Sequence, residues 1–316
     1  MNTKRTGYLY ILLAAFFFST MEVALKFIAG SFNPVQLTFS RFLIGGLVLL
    51  PFAVSKICRG SLRFQAGDWR TFAFLGFLGM TVSMTLYQMG VAYTKASTAA
   101  ILFSSNPVFV ALLALLILRE PIGKAQALAL AFDILGVLVI VNPFGEELSF
   151  YGVGLVLAGT VIFSLYSVLG KKSCRKYGGL TVTCMSFFFG SAEMILLAAL
   201  SHIPALADGL SAAGLEAFSR IPFLAGISPQ TLPCFLYVGI GVTGLGFFCY
   251  FKAMEETSAA TASLVFFLKP VLAPILAYFI LREEISLQTV VGVALIFAGS
   301  MITLLPGLLA RCRAQT

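Results

Sequence analysis

Windows of about 20 consecutive apolar residues recur along nearly the whole chain, and that recurrence sets the solvent in which it must fold. Twenty helical residues span roughly 30 Å, the thickness of a bilayer's hydrocarbon layer. Ten such windows are predicted, at 8–28, 34–55, 71–93, 96–118, 125–142, 151–171, 180–200, 232–252, 257–281 and 288–305. The connections are mostly short and hold turn formers and charges, as in Asn33-Pro34, Asn142-Pro143-Phe144-Gly145 and Lys176-Tyr177-Gly178-Gly179. The strict alternation of membrane barrel strands is absent. The expected fold class is therefore an all-α integral membrane protein with ten transmembrane helices. Composition closes the alternatives: charged residues are 11% of the chain, against about 25% in a soluble domain. That excludes a soluble enzyme, a nucleic-acid binder and a secreted disulfide scaffold. Lys4 and Arg5 before an apolar run resemble a signal peptide, but Glu22 and Lys26 interrupt the run, so the first span is expected to be retained.

The net charge of +8 is explained by where the basic residues fall. With the N-terminus inside, the inner connections and ends hold Lys4, Arg5, Lys56, Arg59, Arg63, Arg70, Arg119, Lys124, Lys171, Lys172, Arg175, Lys176, Lys252, Arg311 and Arg313. The outer side holds only Lys26, Lys95, Arg220 and Arg282. This asymmetry orients a multi-pass protein of the cell membrane with both termini cytoplasmic. The positive charge then faces anionic headgroups, and no nucleic-acid partner is needed.

The chain repeats itself. A shift of 163 places residues 96–122 on 259–285 with 13 identities in 27 positions, among them Pro107/Pro270, Val108/Val271 and Ile117-Leu118-Arg119-Glu120 on Ile280-Leu281-Arg282-Glu283. Tyr87/Tyr250 and Gly136/Gly299 share that shift. The first two spans of each half match at a shift of 145, through Gly7/Gly152, Phe18/Phe163, Ser19/Ser164, Lys26/Lys171, Thr38/Thr183 and Gly45/Gly190. Each half, 1–145 and 146–316, thus has five spans, and the second carries an extra segment at 201–231. Because five is odd, the second half enters the membrane upside down. Inverted repeats of this kind are typical of secondary transporters, with the substrate site near the midplane.

Several polar residues fall inside the spans. Pro107 and Pro270 sit within the fourth and ninth spans, with Pro274 a turn further on. A mid-helix proline removes one backbone hydrogen bond and displaces the carbonyl four residues back, here those of Phe103 and Phe266. The preceding residues, Asn106 and Lys269, are equivalent under the repeat and lie about halfway across. A lysine there costs roughly 2.5–3.5 kcal/mol, so it must pair, lose its proton or face water. Ser19, Glu22 and Lys26 share one face of the first span. Arg41 lies at a depth similar to Glu22, roughly 9–10 Å from the outer side. The two can form a structural pair or bind opposite ends of a charged substrate. Glu22, Asp133 and Glu193 are the candidate carriers of a coupling proton. Tyr87, Tyr166 and Tyr250 are candidate cavity walls. Arg119-Glu120 and Arg282-Glu283 end the fourth and ninth spans, either as charges meeting water or as parts of gates that close in turn.

Other signals carry little. Gly239-Ile240-Gly241-Val242-Thr243-Gly244 has dinucleotide-binding spacing but lies inside a span, where small residues serve close helix packing. The six cysteines form no C-x-x-C pair and imply no metal site. His202 stands alone at the outer end of the seventh span. The segment 205–220 has the apolar spacing of a helix lying on the outer interface.

The duplicated five-helix unit, Arg41 after Asn33-Pro34, the alanine-rich entry Ala96, Ala99 and Ala100, and the motif Pro107-Val108…Glu120, repeated as Pro270-Val271…Glu283, resemble the drug/metabolite transporter superfamily, in its ten-helix EamA-type branch. The resemblance covers about residues 8–305. It implies alternating access through a central cavity, commonly for amino acids, amines, sugar derivatives or drugs. No cluster of nucleophile, base and metal ligands appears in the sequence, so neither enzymatic activity nor a cofactor is expected. Where many members carry Trp-Gly in the first span, this chain has Phe18-Ser19; Glu22 and Lys269 also depart from the general pattern. The substrate is expected to be a small charged metabolite, amino-acid-like, zwitterionic or anionic, bound by Glu22, Arg41, Tyr87, Asn106, Tyr166, Tyr250 and Lys269. The alternatives are an organic cation held by Glu22 and aromatic rings, and a membrane binding protein that does not transport. The expected assembly is a monomer or a homodimer.

Overall fold

The computed structural model describes residues 3–59, 64–119, 121–141, 149–256 and 264–313. Seven of its helices are long and apolar enough to cross a membrane, and three shorter apolar helices complete a set of ten among the described residues. In chain order these are α1 (3–28), α2 (Pro34–Arg59), α3 (66–93), α4 (96–118), α5 (Lys124–Val141), α6 (Phe150–Tyr177), α7 (Gly179–Leu200), α8 (232–256), α9 (Leu264–Leu281) and α10 (Leu287–Arg313). A helix satisfies every backbone group within itself, which is why an apolar chain in lipid resolves into such rods. Several run past the apolar windows into polar residues, α3 from Ala66 and α6 to Tyr177. The predicted start of the ninth span, 257–263, and Glu120 lie outside the described residues.

The two halves interleave. α1 packs on α8 and α9, α2 on α7 and α8, α3 on α6 and α7, and α4 on α6 and α9, while α5 and α10 pair with each other at one edge. Small residues set these approaches: a Cβ on Gly45 of α2 would stand 2.6 Å from Thr243 of α8, and one on Gly244 2.7 Å from Val48. The glycine-rich run of α8 is thus a packing surface, as its position inside a span implied. Both α3 and α8 pass through a π-helical stretch, Phe77–Met84 and Tyr237–Leu245, at overlapping positions of the repeat. Such widened turns recur at functional sites.

The ends of the bundle differ. One carries Lys56, which pairs with Glu255, and Lys176, 3.3 Å from Asp68; it is called the basic end below. The other carries the segment 201–231, which lies over the start of α2. Asn33 Nδ2 donates to the Ala217 carbonyl at 2.8 Å, and Gln36 Nε2 to that of Ala225 at 2.7 Å. The interfacial helix is shorter than its apolar spacing predicted. It spans Pro204–Ala212 and stops before Gly214, whose φ of +74° breaks the helical path.

Candidate functional site

α1 bends at Thr20, whose hydroxyl bonds to the Phe17 carbonyl at 2.9 Å and the Tyr237 hydroxyl at 2.6 Å. The bend starts a new helical segment at Met21, and Glu22 sits in its first turn, where the helix dipole favours a carboxylate. Glu22 is fully buried. Its Oε1 lies 2.6 Å from Lys269 Nζ and also accepts from the Tyr87 hydroxyl. Lys269 is thus held by an ion pair between α1 and α9, with its ammonium 4.9 Å above the Phe103 ring. Pairing removes much of the cost of a charge placed in the span.

Arg41 is not the partner of Glu22. Helical depth puts the two at one height, but the acid turns to α9 and α3 instead. The Arg41 guanidinium is 1% exposed and rests 4.3 Å over the Phe42 ring. Its terminal nitrogens reach only the thioethers of Met21, at 3.9 Å, and Met84, at 3.6 Å, and its Nε has no partner. Glu22 acts on it only at longer range. Among the described residues no carboxylate forms a salt bridge with Arg41. A guanidinium keeps its charge in proteins, so Arg41 is a buried cation facing weak acceptors.

Arg41 and Lys269 line a tight chamber of about 40 Å³, together with Phe18, Met21, Met84 and Phe103. Beside it, toward the basic end, lies a wide cavity of about 370 Å³. The two share Phe18, Met80, Phe163 and Phe247 as walls. Asn106, Pro107, Tyr166 and Tyr250 line the wide cavity. Asn106 is held by the Ser164 hydroxyl, which donates to its side-chain oxygen. Tyr166 fits because α3 carries Gly79 opposite it; a Cβ there would stand 2.7 Å from the ring.

The chamber and the cavity are related by the repeat. Under the two shifts Phe18, Met21, Phe42, Met84, Phe103 and Lys269 of the chamber correspond to Phe163, Tyr166, Phe187, Phe247, Phe266 and Asn106, all of which line the cavity. Corresponding walls therefore enclose a wide space on one side and a tight one on the other. Sequence reasoning missed this relation, although the two shifts contained it once the cavity walls were known.

Other predicted residues lie elsewhere. Asp133 is buried on α5 against Gly299 of α10, and Glu193 accepts from the Thr81 hydroxyl at 3.0 Å; neither lines the two cavities. Pro107 lies in the first turn of the second segment of α4, Asn106–Leu118, after a break at Ser105, whereas Pro270 and Pro274 lie buried inside a continuous α9. Arg119 and Arg282 end α4 and α9 in left-handed conformation, φ +55° and +58°, and are exposed. Glu283 spans the halves at the end opposite the basic one: its carboxylate accepts from the Ala96 and Ser97 amides, at 2.6 and 3.1 Å, and from the Ser97 hydroxyl at 2.6 Å. Nearby, Lys26 Nζ donates to the carbonyls of Val91, Ala92 and Thr94, which end α3.

Apolar helices in two sequence-related sets, meeting around paired cavities with buried charges, define a multi-pass membrane transporter. The EamA-like transporter family model matches residues 5–142 and again 150–305, and the chain belongs to that family. It is similar to an uncharacterized transporter of Clostridium kluyveri, 38% identical over 94% of this chain and 93% of the other. A probable terminal-alkyne amino-acid exporter of Streptantibioticus cattleyicolor is 27% identical, over 87% of this chain and 88% of its own. A crystal structure at 19% identity shares the fold, with a TM-score of 0.64 over 96% of this chain and 98% of that one. The family consists of transporters, not enzymes, and it sets aside the reading of a membrane protein that does not transport.

Proposed function

We propose that the protein carries a small anionic or zwitterionic metabolite across the cell membrane by alternating access between the halves 1–145 and 146–316. The observation that carries the charge of the substrate is Arg41, a buried guanidinium with no acidic partner among the described residues, set in a chamber wall. The organic-cation alternative loses its residue, because Glu22 is engaged by Lys269 and Tyr87. Alternating access is supported by the matched walls of a wide cavity and a tight chamber. Exchanging the conformations of the two halves widens one and narrows the other.

The basic end is the cytoplasmic one on the asymmetry of Lys and Arg, so the arrangement seen here faces inward. At the outer end Glu283 latches the second half onto the start of α4. Of the three carboxylates considered for proton coupling, Glu22 alone touches a residue of the chamber wall, and flux under an imposed pH gradient tests that role. The substrate reading is tested in proteoliposomes with a panel of carboxylates and amino acids. Uptake of at least one is expected, with loss in Arg41→Gln. No uptake of any, or undiminished uptake in the variant, overturns it.

A further inference from the structure

We infer that the preferred solute is an amphipathic monoanion, a carboxylate on an aromatic or branched apolar body, and that an α-ammonium group is not part of what the site recognises. The inference rests on the reading above that the two cavities hold the solute. It names which of the anionic and zwitterionic solutes fits.

Two ionic groups line the chamber, Arg41 and Lys269, and a third, Glu22, stands behind Lys269 as its ion-pair partner. Two cations against one anion leave a single positive charge, and it belongs to Arg41, since Lys269 is matched by Glu22. A monoanion completes that balance. A zwitterion brings a second cation for which no unmatched acid remains among the described residues at the chamber. Glu22 Oε2 has no hydrogen-bond partner, but the charge of its carboxylate is already met through Oε1.

The donors of Arg41 are also ready for exchange. They face the sulfurs of Met21 and Met84, which are weak acceptors on flexible side chains. A carboxylate that displaces them gains a charge-assisted, forked pair with the guanidinium.

The rest of the path is apolar. Among the described residues none that lines the wide cavity carries a carboxylate, an ammonium, a guanidinium or an imidazole, and its walls include Phe163, Tyr166, Phe187, Phe247, Tyr250 and Phe266. Its volume of about 370 Å³ suits a small organic body. Its few polar groups are partly occupied: Asn106 by Ser164, and the Ser167 hydroxyl by the Phe163 carbonyl at 2.9 Å. Because cavity and chamber share four walls, a head at Arg41 and a body among the rings belong to one molecule. The carboxylate lies deep and the apolar part toward the basic end.

The test uses the purified full chain and three compounds with the same ring and different ionic groups: 3-phenylpropionate, phenylalanine and 3-phenylpropylamine. Equilibrium dialysis measures the binding of each. The acid is expected to bind about tenfold or more tightly than phenylalanine, because both bring the carboxylate but only phenylalanine must strip water from an ammonium that no acid meets, and the amine most weakly. Arg41→Gln should erase the preference, while Arg41→Lys should keep it at lower affinity. Thermal unfolding confirms that each variant is folded. If Arg41→Gln does not fold, Arg41→Lys and the ligand series decide. Equal or tighter binding of phenylalanine, preference for the amine, or no binding of any of the three overturns the inference. Acid preference without flux in proteoliposomes defeats the transport reading and leaves this inference standing. Flux of other solutes without acid preference does the reverse.

Discussion

The tight chamber and the wide cavity are framed by corresponding residues, yet they differ in what those residues carry. Lys269 and Arg41 line the chamber, and Glu22 and Tyr87, the latter expected as a cavity wall, stand behind Lys269 instead; the positions that match Glu22, Lys269, Arg41 and Tyr87 under the repeat are Ser167, Asn106, Ser186 and Tyr250. The duplication thus kept the helices, the aromatic frame and one tyrosine while placing all the buried charge of the site in one set. Within that set a second contrast appears. Lys269 is matched by an acid 2.6 Å away, whereas Arg41 faces only sulfur and a ring. A matched charge holds structure together, and on the function proposed above the unmatched one is where a ligand binds.

The contrast can be broken most severely at Lys269. Lys269→Met leaves Glu22 as an uncompensated buried acid and is expected to lower stability by about 3–5 kcal/mol, measured by unfolding in detergent. Adding Glu22→Gln should recover most of that loss, and failure to recover would deny that the pair is structural. At Arg41 the expected signature is opposite. Arg41→Gln should cut flux about 10- to 100-fold, as for one charged hydrogen-bonding contact, without lowering the unfolding temperature, since it removes a charge that no acid among the described residues pairs with. Its counterpart Ser186→Ala should leave flux near that of the parent.

The ends of the molecule provide the third comparison. Glu283→Ala removes the acceptor that ties the second half to Ala96 and Ser97. On a Met84→Cys reporter, with native cysteines replaced, it should speed labelling by an impermeant thiol reagent from the outer side, about three- to tenfold for roughly 1 kcal/mol. Unchanged labelling would remove Glu283 from the closure. The smallest effect is expected at the shared tyrosine. Tyr87→Phe should lower stability by about 1 kcal/mol through the lost bond to Glu22, and Tyr250→Phe should cost measurably less.

Much of the fold was legible because lipid imposes simple rules. Apolar length marks the spans, odd repeat length implies inversion, and a lysine in mid-span demands a reason. The site was legible as a set of residues and not as a set of contacts. Depth follows from counting residues along a helix, and it placed Glu22 and Arg41 at one level. Which way each turns about its helix axis depends on packing, and α9 passes beside α1 to bring Lys269 to Glu22. Asp133 shows the same limit: its burial was readable, but its place at the α5–α10 edge, away from both cavities, follows only from assembly. The end of the interfacial helix at Ala212 had a local sign in Gly214, which apolar spacing alone passed over.

In the transport cycle proposed above, the unmatched charge of Arg41 also meets the electric field across the membrane. With the Lys269–Glu22 pair neutral as a unit, an empty carrier that reorients presents one net positive charge to the field, while a carrier loaded with a monoanion presents none. Moving one elementary charge through the full field is worth about 2.3 kcal/mol per 100 mV. Membrane voltage should therefore act on the return of the empty carrier and leave the loaded step alone, giving the cycle a direction set by the cell's resting potential.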